Sequence, residues 1–421
     1  MNYKRESIGD NIGFSTITDE KFNTCSLYIR FITELDSETA AENAIAVGML
    51  SISNSTLKTM AEMNNELSNL YGANLGTFAG KKGDFQILGL SASWICSKFA
   101  LENEDTDQKM LEIIHDCIFS PNAENGRFDD ASFKIVRNNI LDNIESEIND
   151  KRSYALIQAQ KLAFKDEPAE NRPSGTREKA EAVTPESAFK AYENFLRTAQ
   201  IEIFYISPYE NKAVPEMFKR SFSEINRQTD KHHICRISPV KITPETFTEE
   251  LDVKQCKVVL NFKSDYNDIH ALRLFSIIFG ETPFSKLFIN IREKLSLCYY
   301  CSCQFDEIKN LLVVDCGVEK NNIEKAVNEI FYQLEEIKNG KISDEEIKNA
   351  LLALDNSYTA VGDTPSSYYS WYFNMFCIHQ MMTPEERFEK FCAVTKEQLM
   401  QAAASLKLDS RYYMLNKENM E

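Results

Sequence analysis

Apolar and polar positions alternate with the two-residue period of a strand over Asn23-Thr24-Cys25-Ser26-Leu27-Tyr28-Ile29-Arg30-Phe31. The pattern then changes to helical spacing over about 39–50 and again over about 57–70. Two more strands are predicted near 75–79 and 85–93, then a helix near 106–118 and a long amphipathic helix from about 129 to 164. The second half opens the same way. Gln255-Cys256-Lys257-Val258-Val259-Leu260-Asn261-Phe262 reads as a strand, with helices following over about 267–279 and 284–294. Strands near 298–304 and 311–317 and helices near 321–338 and 342–360 complete it. Strand, helix, helix, strand, strand, helix, long helix therefore occurs twice, about 230 residues apart, and this predicts a duplicated unit.

Each half closes alike. Thr184-Pro185-Glu186 starts a helix that leads to a strand at 201–206, and Thr395-Lys396-Glu397 starts one that leads to a strand at 412–415. Between the halves, 226–250 is polar, holds Ser238-Pro239 and Thr243-Pro244, and lacks a long apolar face, as a linker would. The expected fold class is α+β. Two tandem homologous domains, 1–225 and 251–421, would each form a mixed β-sheet covered by helices on one face. A length of 421 residues suits two domains of roughly 200 residues better than one core.

Composition narrows the function classes. Hydrophobic residues at 43% and charged residues at 26% describe a folded chain, not a disordered one. A formal charge of −17 disfavours nucleic acid and anionic membranes and favours basic peptides or a basic partner surface. Met1-Asn2-Tyr3-Lys4-Arg5-Glu6-Ser7 leads into no apolar stretch, and no run approaches the ~18 apolar residues of a membrane span, so a cytoplasmic location is expected. Eleven cysteines then read as reduced thiols.

A catalytic zinc needs three protein ligands, usually spaced three or four residues apart on a helix, with a carboxylate to activate water. His115, His232, His233, His270 and His379 provide no such pair, and His232 and His233 lie in the expected linker. Cys298, Cys301 and Cys303, with Cys316 on the next strand, form the most suggestive cysteine group. On a regular strand Cys301 and Cys303 share a face while Cys298 points to the other, so no metal is assigned there. Glycine-rich phosphate loops and a Gly-x-Ser-x-Gly elbow are absent from the sequence.

One stretch carries a resemblance. Gly280-Glu281-Thr282-Pro283-Phe284-Ser285-Lys286-Leu287-Phe288-Ile289-Asn290-Ile291-Arg292-Glu293-Lys294-Leu295-Ser296-Leu297-Cys298-Tyr299 resembles the C-terminal-domain signature of the insulinase/pitrilysin-type (M16) zinc peptidases. Arg172-Pro173-Ser174-Gly175-Thr176-Arg177-Glu178, followed by Thr184-Pro185-Glu186, is similar to that family's Gly-Thr-x-Glu segment. The resemblance covers nearly the whole chain. It implies tandem domains that form half of a clam-like chamber, and it gives Arg292 and Tyr299 the role of binding and polarising a substrate backbone. A guanidinium and a phenol are suitable donors to a peptide carbonyl. The competing reading pairs Arg292 with a helix carboxylate and puts Tyr299 in the core.

The resemblance also exposes a departure. Where the family carries His-x-x-Glu-His, this chain has Ala46-Val47-Gly48-Met49-Leu50, so the ligand and base positions fall on Ala46, Met49 and Leu50. The third-ligand position falls near Asn143, with Glu145 and Glu147 close by. No metal is expected on this chain. Glu66-Leu67-Ser68-Asn69-Leu70-Tyr71-Gly72-Ala73-Asn74-Leu75 and Lys81-Lys82-Gly83-Asp84 look like the family's zinc-less bacterial branch, which includes a protein associated with elongation-factor-P modification. Two functions follow from the resemblance. One is the substrate-binding subunit of a heterodimer whose zinc sits on a homologous partner. The other is a non-enzymatic peptide- or protein-binding scaffold, such as a homodimer.

Overall fold

An N-terminal hairpin, β1 (Asn2–Gly9) and β2 (Ile12–Thr18), precedes the first predicted strand, which becomes β3 (Thr24–Glu34). This computed structural model describes residues 1–229, 234 and 236–417, so His232 and His233 lie outside the described residues. Helices α1 (Ala40–Met49) and α2 (Met60–Asn69) and strands β4 (Asn74–Lys82) and β5 (Phe85–Ile95) follow where the periodicity placed them. Next come α3 (Thr106–Phe119), a two-residue ribbon β6 (Ala123–Glu124) and β7 (Arg127–Phe128), and α4 (Asp130–Ser146). Then α5 (Lys151–Ala163), α6 (Arg177–Ala182), α7 (Pro185–Thr198), β8 (Gln200–Ser207) and α8 (Ala213–Ser223) complete the first half.

The second half holds β9 (Glu245–Leu251), β10 (Cys256–Lys263), α9 (Ile269–Ser276), β11 (Cys298–Asp306) and β12 (Leu311–Val318). It continues with α10 (Ile323–Lys338), α11 (Asp344–Thr359), α12 (Pro365–Cys377), α13 (Pro384–Cys392), α14 (Lys396–Ser405) and β13 (Lys407–Asn416). Strand β9 occupies the last part of the stretch read as polar from sequence. Its Glu-Thr-Phe-Thr-Glu alternation lets it pair in parallel with β13.

Two compact units result. The first combines Met1–Ser146, a stretch from Asn171 onward and Gly362–Ser370; the second combines Glu147–Glu170, a stretch from Ile234 to Val361 and the chain from Trp371. The first sheet runs β1-β2-β8-β3-β5-β4, with β2 parallel to β8 and the other pairs antiparallel. The second runs β11-β12-β10-β13-β9, with β13 parallel to β9. Both are mixed sheets with helices on a face, which makes the protein α+β. The helix-covered face of the first sheet holds Phe14, Leu27, Ile29 and Phe31 with α1 and α7 residues. That of the second holds Val258, Leu260 and Phe262 with residues of α9, α10 and α14.

The long helix expected over 129–164 is two helices. Asp150 breaks it, because its carboxylate accepts hydrogen bonds from the backbone N–H groups of Arg152 and Ser153 and so starts a new helix. The second piece, α5, covers the other face of the second sheet. Ala155, Ala159 and Ala163, four residues apart, form a smooth stripe against Val259, Leu311, Val313, Tyr412 and Met414. Polar contacts hold it in register: Asn261 Nδ2 donates to the Ala159 carbonyl at 2.8 Å, and Lys263 Nζ to that of Ala163 at 2.7 Å.

In the first unit the 362–370 stretch covers the corresponding open face. Tyr369 stacks on Tyr28 with ring centroids 4.2 Å apart, and Arg30 Nε donates to its hydroxyl at 2.6 Å. Each sheet is thus completed by a segment from the other half of the chain.

Candidate functional site

The positions aligned with a zinc motif are sealed in the first unit's core. Ala46, Met49 and Leu50 are almost fully buried and belong to the cluster that α1 forms with α4, α7, β4 and β5. Gly48 lets α4 come close, since a Cβ there would lie 2.5 Å from Val136 Cγ1. A methyl, a thioether and an isobutyl group offer neither an imidazole nor a carboxylate, and α4 packs directly against α1 at Gly48. Zinc does not fit these residues. Asn143 on α4 is exposed, and Glu145 is ion-paired with Arg177. At the start of α1 the buried Asn43 donates to Gln86 Oε1 at 2.9 Å, and Gln86 Nε2 donates to the carbonyls of Ala40 and Pro173. The polar groups here tie the helix to the sheet and to the 171–175 turn.

One buried set does bring three candidate ligand atoms within 4.8 Å of one another: Cys25, Cys96 and Asp107. Its carboxylate is already engaged, with Trp94 Nε1 donating at 2.7 Å to one oxygen and the Tyr209 hydroxyl donating to the other. Asp107 therefore anchors two aromatic side chains. Cys96 and burial together push the Cys25 thiol far above its ordinary value, so it stays a thiol. Among the described residues this is the one group so arranged, and Cys298, Cys301 and Cys316 do not converge to that degree.

Arg292 and Tyr299 lie in the second unit, on either side of a short turn. Arg292 sits on a π-helical stretch, Phe288–Lys294, with its guanidinium 4.5 Å from the Phe288 ring and 3.7 Å from a Glu293 carboxylate oxygen. Leu295 and Leu297 donate backbone hydrogen bonds to Asn290 and Ile291, and Ser296 takes a left-handed φ of 49°. The chain then enters β11, the edge strand of its sheet. Cys298 pairs with Val318 and Tyr300 with Gly317, so Tyr299 is an extra residue in the ladder, a β-bulge. Its side chain is 79% exposed and thus outside the core. The neighbouring Tyr300 ring lies over the sheet, 4.3 Å from the Arg152 guanidinium and 5.3 Å from Lys257 Nζ. Gly317 makes room for it, since a Cβ there would meet Tyr300 Cε1 at 2.4 Å.

The bulge corrects one expectation. Cys298 does not point away from Cys301. With one residue looped out, Cys298 falls opposite Val318 and Cys301 opposite Cys316, which puts all three thiols on the face of β11 that packs on the core. Sequence alternation missed this because nothing in Cys298-Tyr299-Tyr300-Cys301 marks a bulge. The neighbouring Cys301 and Cys316 thiols, with Arg292 adding its charge, pull the Cys298 thiol well below its ordinary value; the same neighbours and burial push Cys301 upward.

The second unit thus carries an exposed Arg292 and an exposed Tyr299, while residues 46–50 of the first unit form a buried apolar helix face. Residues 182–354, which include Arg292 and Tyr299, match the family described as Peptidase M16 inactive domain. In that stretch the protein is similar to M16-type peptidases of the inactive kind.

Over its full length it is similar to the "Probable inactive metalloprotease YmfF" of Bacillus subtilis (strain 168), at 24% identity with 99% of each chain covered. Among solved structures, a conserved protein from Enterococcus faecalis V583 matches at 26% identity, with a TM-score of 0.91 and 100% of both chains covered. A peptidase M16 inactive domain from Pseudomonas fluorescens shares the fold at 14% identity and a TM-score of 0.81, covering 100% of both chains. A protease from Helicobacter pylori does so at 14% and 0.77, covering 98% of this chain and 99% of that one.

Proposed function

We propose that this chain is the non-catalytic, substrate-binding subunit of a paired M16-type zinc peptidase. It captures an extended peptide along the free edge of β11 and contributes Arg292 and Tyr299 to a zinc site on a homologous partner subunit. The observation that carries this reading is the bulge that lifts Tyr299 out of an edge strand into solvent, seven residues after an exposed arginine. An edge strand offers a row of unpaired N–H and C=O groups to an added strand, and a phenol with a guanidinium can donate to a peptide carbonyl. The net charge of −17 favours basic peptides. Residues 46–50, filled with apolar side chains, leave zinc and the general base to the partner.

Binding of a fluorescent, extended, lysine-rich peptide to the isolated chain tests the reading by anisotropy. Loss of one donated hydrogen bond on Tyr299→Phe, and of a charged donor on Arg292→Ala, should each weaken binding by about tenfold, or about 1.4 kcal/mol. Binding that neither substitution changes would refute the assignment and favour a scaffold that uses another surface.

A further inference from the structure

The three thiols on the core face of β11 and β12 form a set that the peptide-binding reading does not use. Cys298 is half-buried and opens to solvent, whereas Cys301 and Cys316 are buried behind it. The bulge at Tyr299 also sets their spacing. Cys298 and Cys301 stand opposite Val318 and Cys316, two residues apart on the partner strand, so their Cα atoms are about 6.7 Å apart along the strand. Three regular strand residues would span about 10 Å, and a disulfide needs no more than about 6.8 Å. The bulge thus brings a Cys-x-x-Cys pair within bonding range on one face of a strand.

We propose that Cys298 is an oxidant-reactive cysteine that takes a hydroperoxide as its substrate and closes a disulfide with Cys301. The Cys298 thiolate attacks one peroxide oxygen, the O–O bond breaks, and the departing alkoxide or hydroxide takes a proton from solvent. Cys298 is left as a sulfenic acid. Cys301 then gives up its proton and attacks the Cys298 sulfur. The S–O bond breaks, and the hydroxide leaves with that proton as water. Two electrons pass from the two thiols to the peroxide. Arg292, six positions before Cys298 in the chain, supplies a positive charge that favours the thiolate, and the two neighbouring thiols favour it too. The inference concerns the thiols alone and does not depend on peptide capture.

Cys392 provides an internal control. It is the exposed cysteine of the described set, so reactivity governed by access alone would oxidise it first. Its thiol is pushed upward by burial and by Asp355 and Glu389, which keeps it protonated. The test treats the reduced full-length chain with one equivalent of hydrogen peroxide at pH 7, followed by alkylation and peptide mapping by mass spectrometry. The expected product carries a Cys298–Cys301 disulfide with Cys392 still alkylated. Cys301→Ser should stop the reaction at a Cys298 sulfenic acid that dimedone captures, and Cys298→Ser should abolish the disulfide. Oxidation at Cys392 before Cys298, a disulfide joining Cys301 to Cys316 with Cys298 free, or no reaction of Cys298 would each overturn the proposal.

Discussion

Placing a general base back on α1 tests whether that helix face is a filled core. Met49 packs within the apolar cluster of the first unit and is almost fully buried. A glutamate in its place would find apolar neighbours, and a buried carboxyl in such surroundings titrates near 8–9 instead of about 4.3. At pH 7 the folded variant must hold a proton that the unfolded chain has released. This costs about 1.36 kcal/mol for each of the ~2.7 pH units between 4.3 and 7, or roughly 3.7 kcal/mol. Lost packing adds about 1 kcal/mol, for a total near 4–5 kcal/mol.

The sign follows from the protons bound. The folded state binds more, so Met49→Glu loses stability as pH rises from about 4.3 toward the folded value, and regains roughly 2.7 kcal/mol between pH 7 and pH 5. Urea unfolding in a Trp371→Phe background leaves Trp94, buried in the first unit, as the sole tryptophan reporter. A variant within 1 kcal/mol of its parent at pH 7, with no difference between pH 5 and pH 7, would refute the description of 46–50 as sealed core.

Arg152 donates two hydrogen bonds to the nearly buried Asp315 carboxylate, so Arg152→Ala leaves that charge with little beyond Ser302 and should cost about 1–3 kcal/mol; hydrogen exchange should rise throughout α5. Burial raises the Glu167 carboxyl, but Ser238, Lys309 and Lys263 outweigh it and hold Glu167 below the ordinary carboxylate range. Its contribution is therefore complete above about pH 4.3 and lost as pH falls through the folded value, so the stability gap between parent and Glu167→Gln should narrow steadily as pH falls below about 4.3. An unchanged gap from pH 5 to pH 3 would contradict this. Because Arg292 and Tyr299 are exposed, Arg292→Ala and Tyr299→Phe should shift stability by less than about 0.5 kcal/mol in urea unfolding.

Periodicity made the duplicated order legible because most repeated elements bury one face, and a buried face writes its period into the sequence. It failed where two solutions share one period. Helical spacing continues through 146–151, and only the Asp150 cap ends one helix and begins another. The Ala155, Ala159 and Ala163 stripe signals a close helix–sheet contact, yet nothing local says that the sheet belongs to the second half. The N-terminal hairpin and α12 escaped notice. In the hairpin β1 is mostly exposed and polar while β2 is buried on both faces, and α12 is aromatic on several faces, so none shows a clean period. Of the candidate site, the apolar character of Ala46, Met49 and Leu50 is plain in the sequence, and the structure adds their burial. The placement of Tyr299 and Cys298 could not, because a bulge is set by how a strand pairs with its neighbour.

In the proposed role this chain binds substrate and leaves the metal to a partner. The most direct test mixes it with a homologue from the same genome that retains His-x-x-Glu-His, and measures zinc content and cleavage of a basic peptide for each chain alone and for the mixture. Expected are no stoichiometric zinc and no cleavage from this chain alone, and cleavage by the mixture that Arg292→Ala abolishes. One zinc per chain with cleavage by the isolated protein would contradict that role.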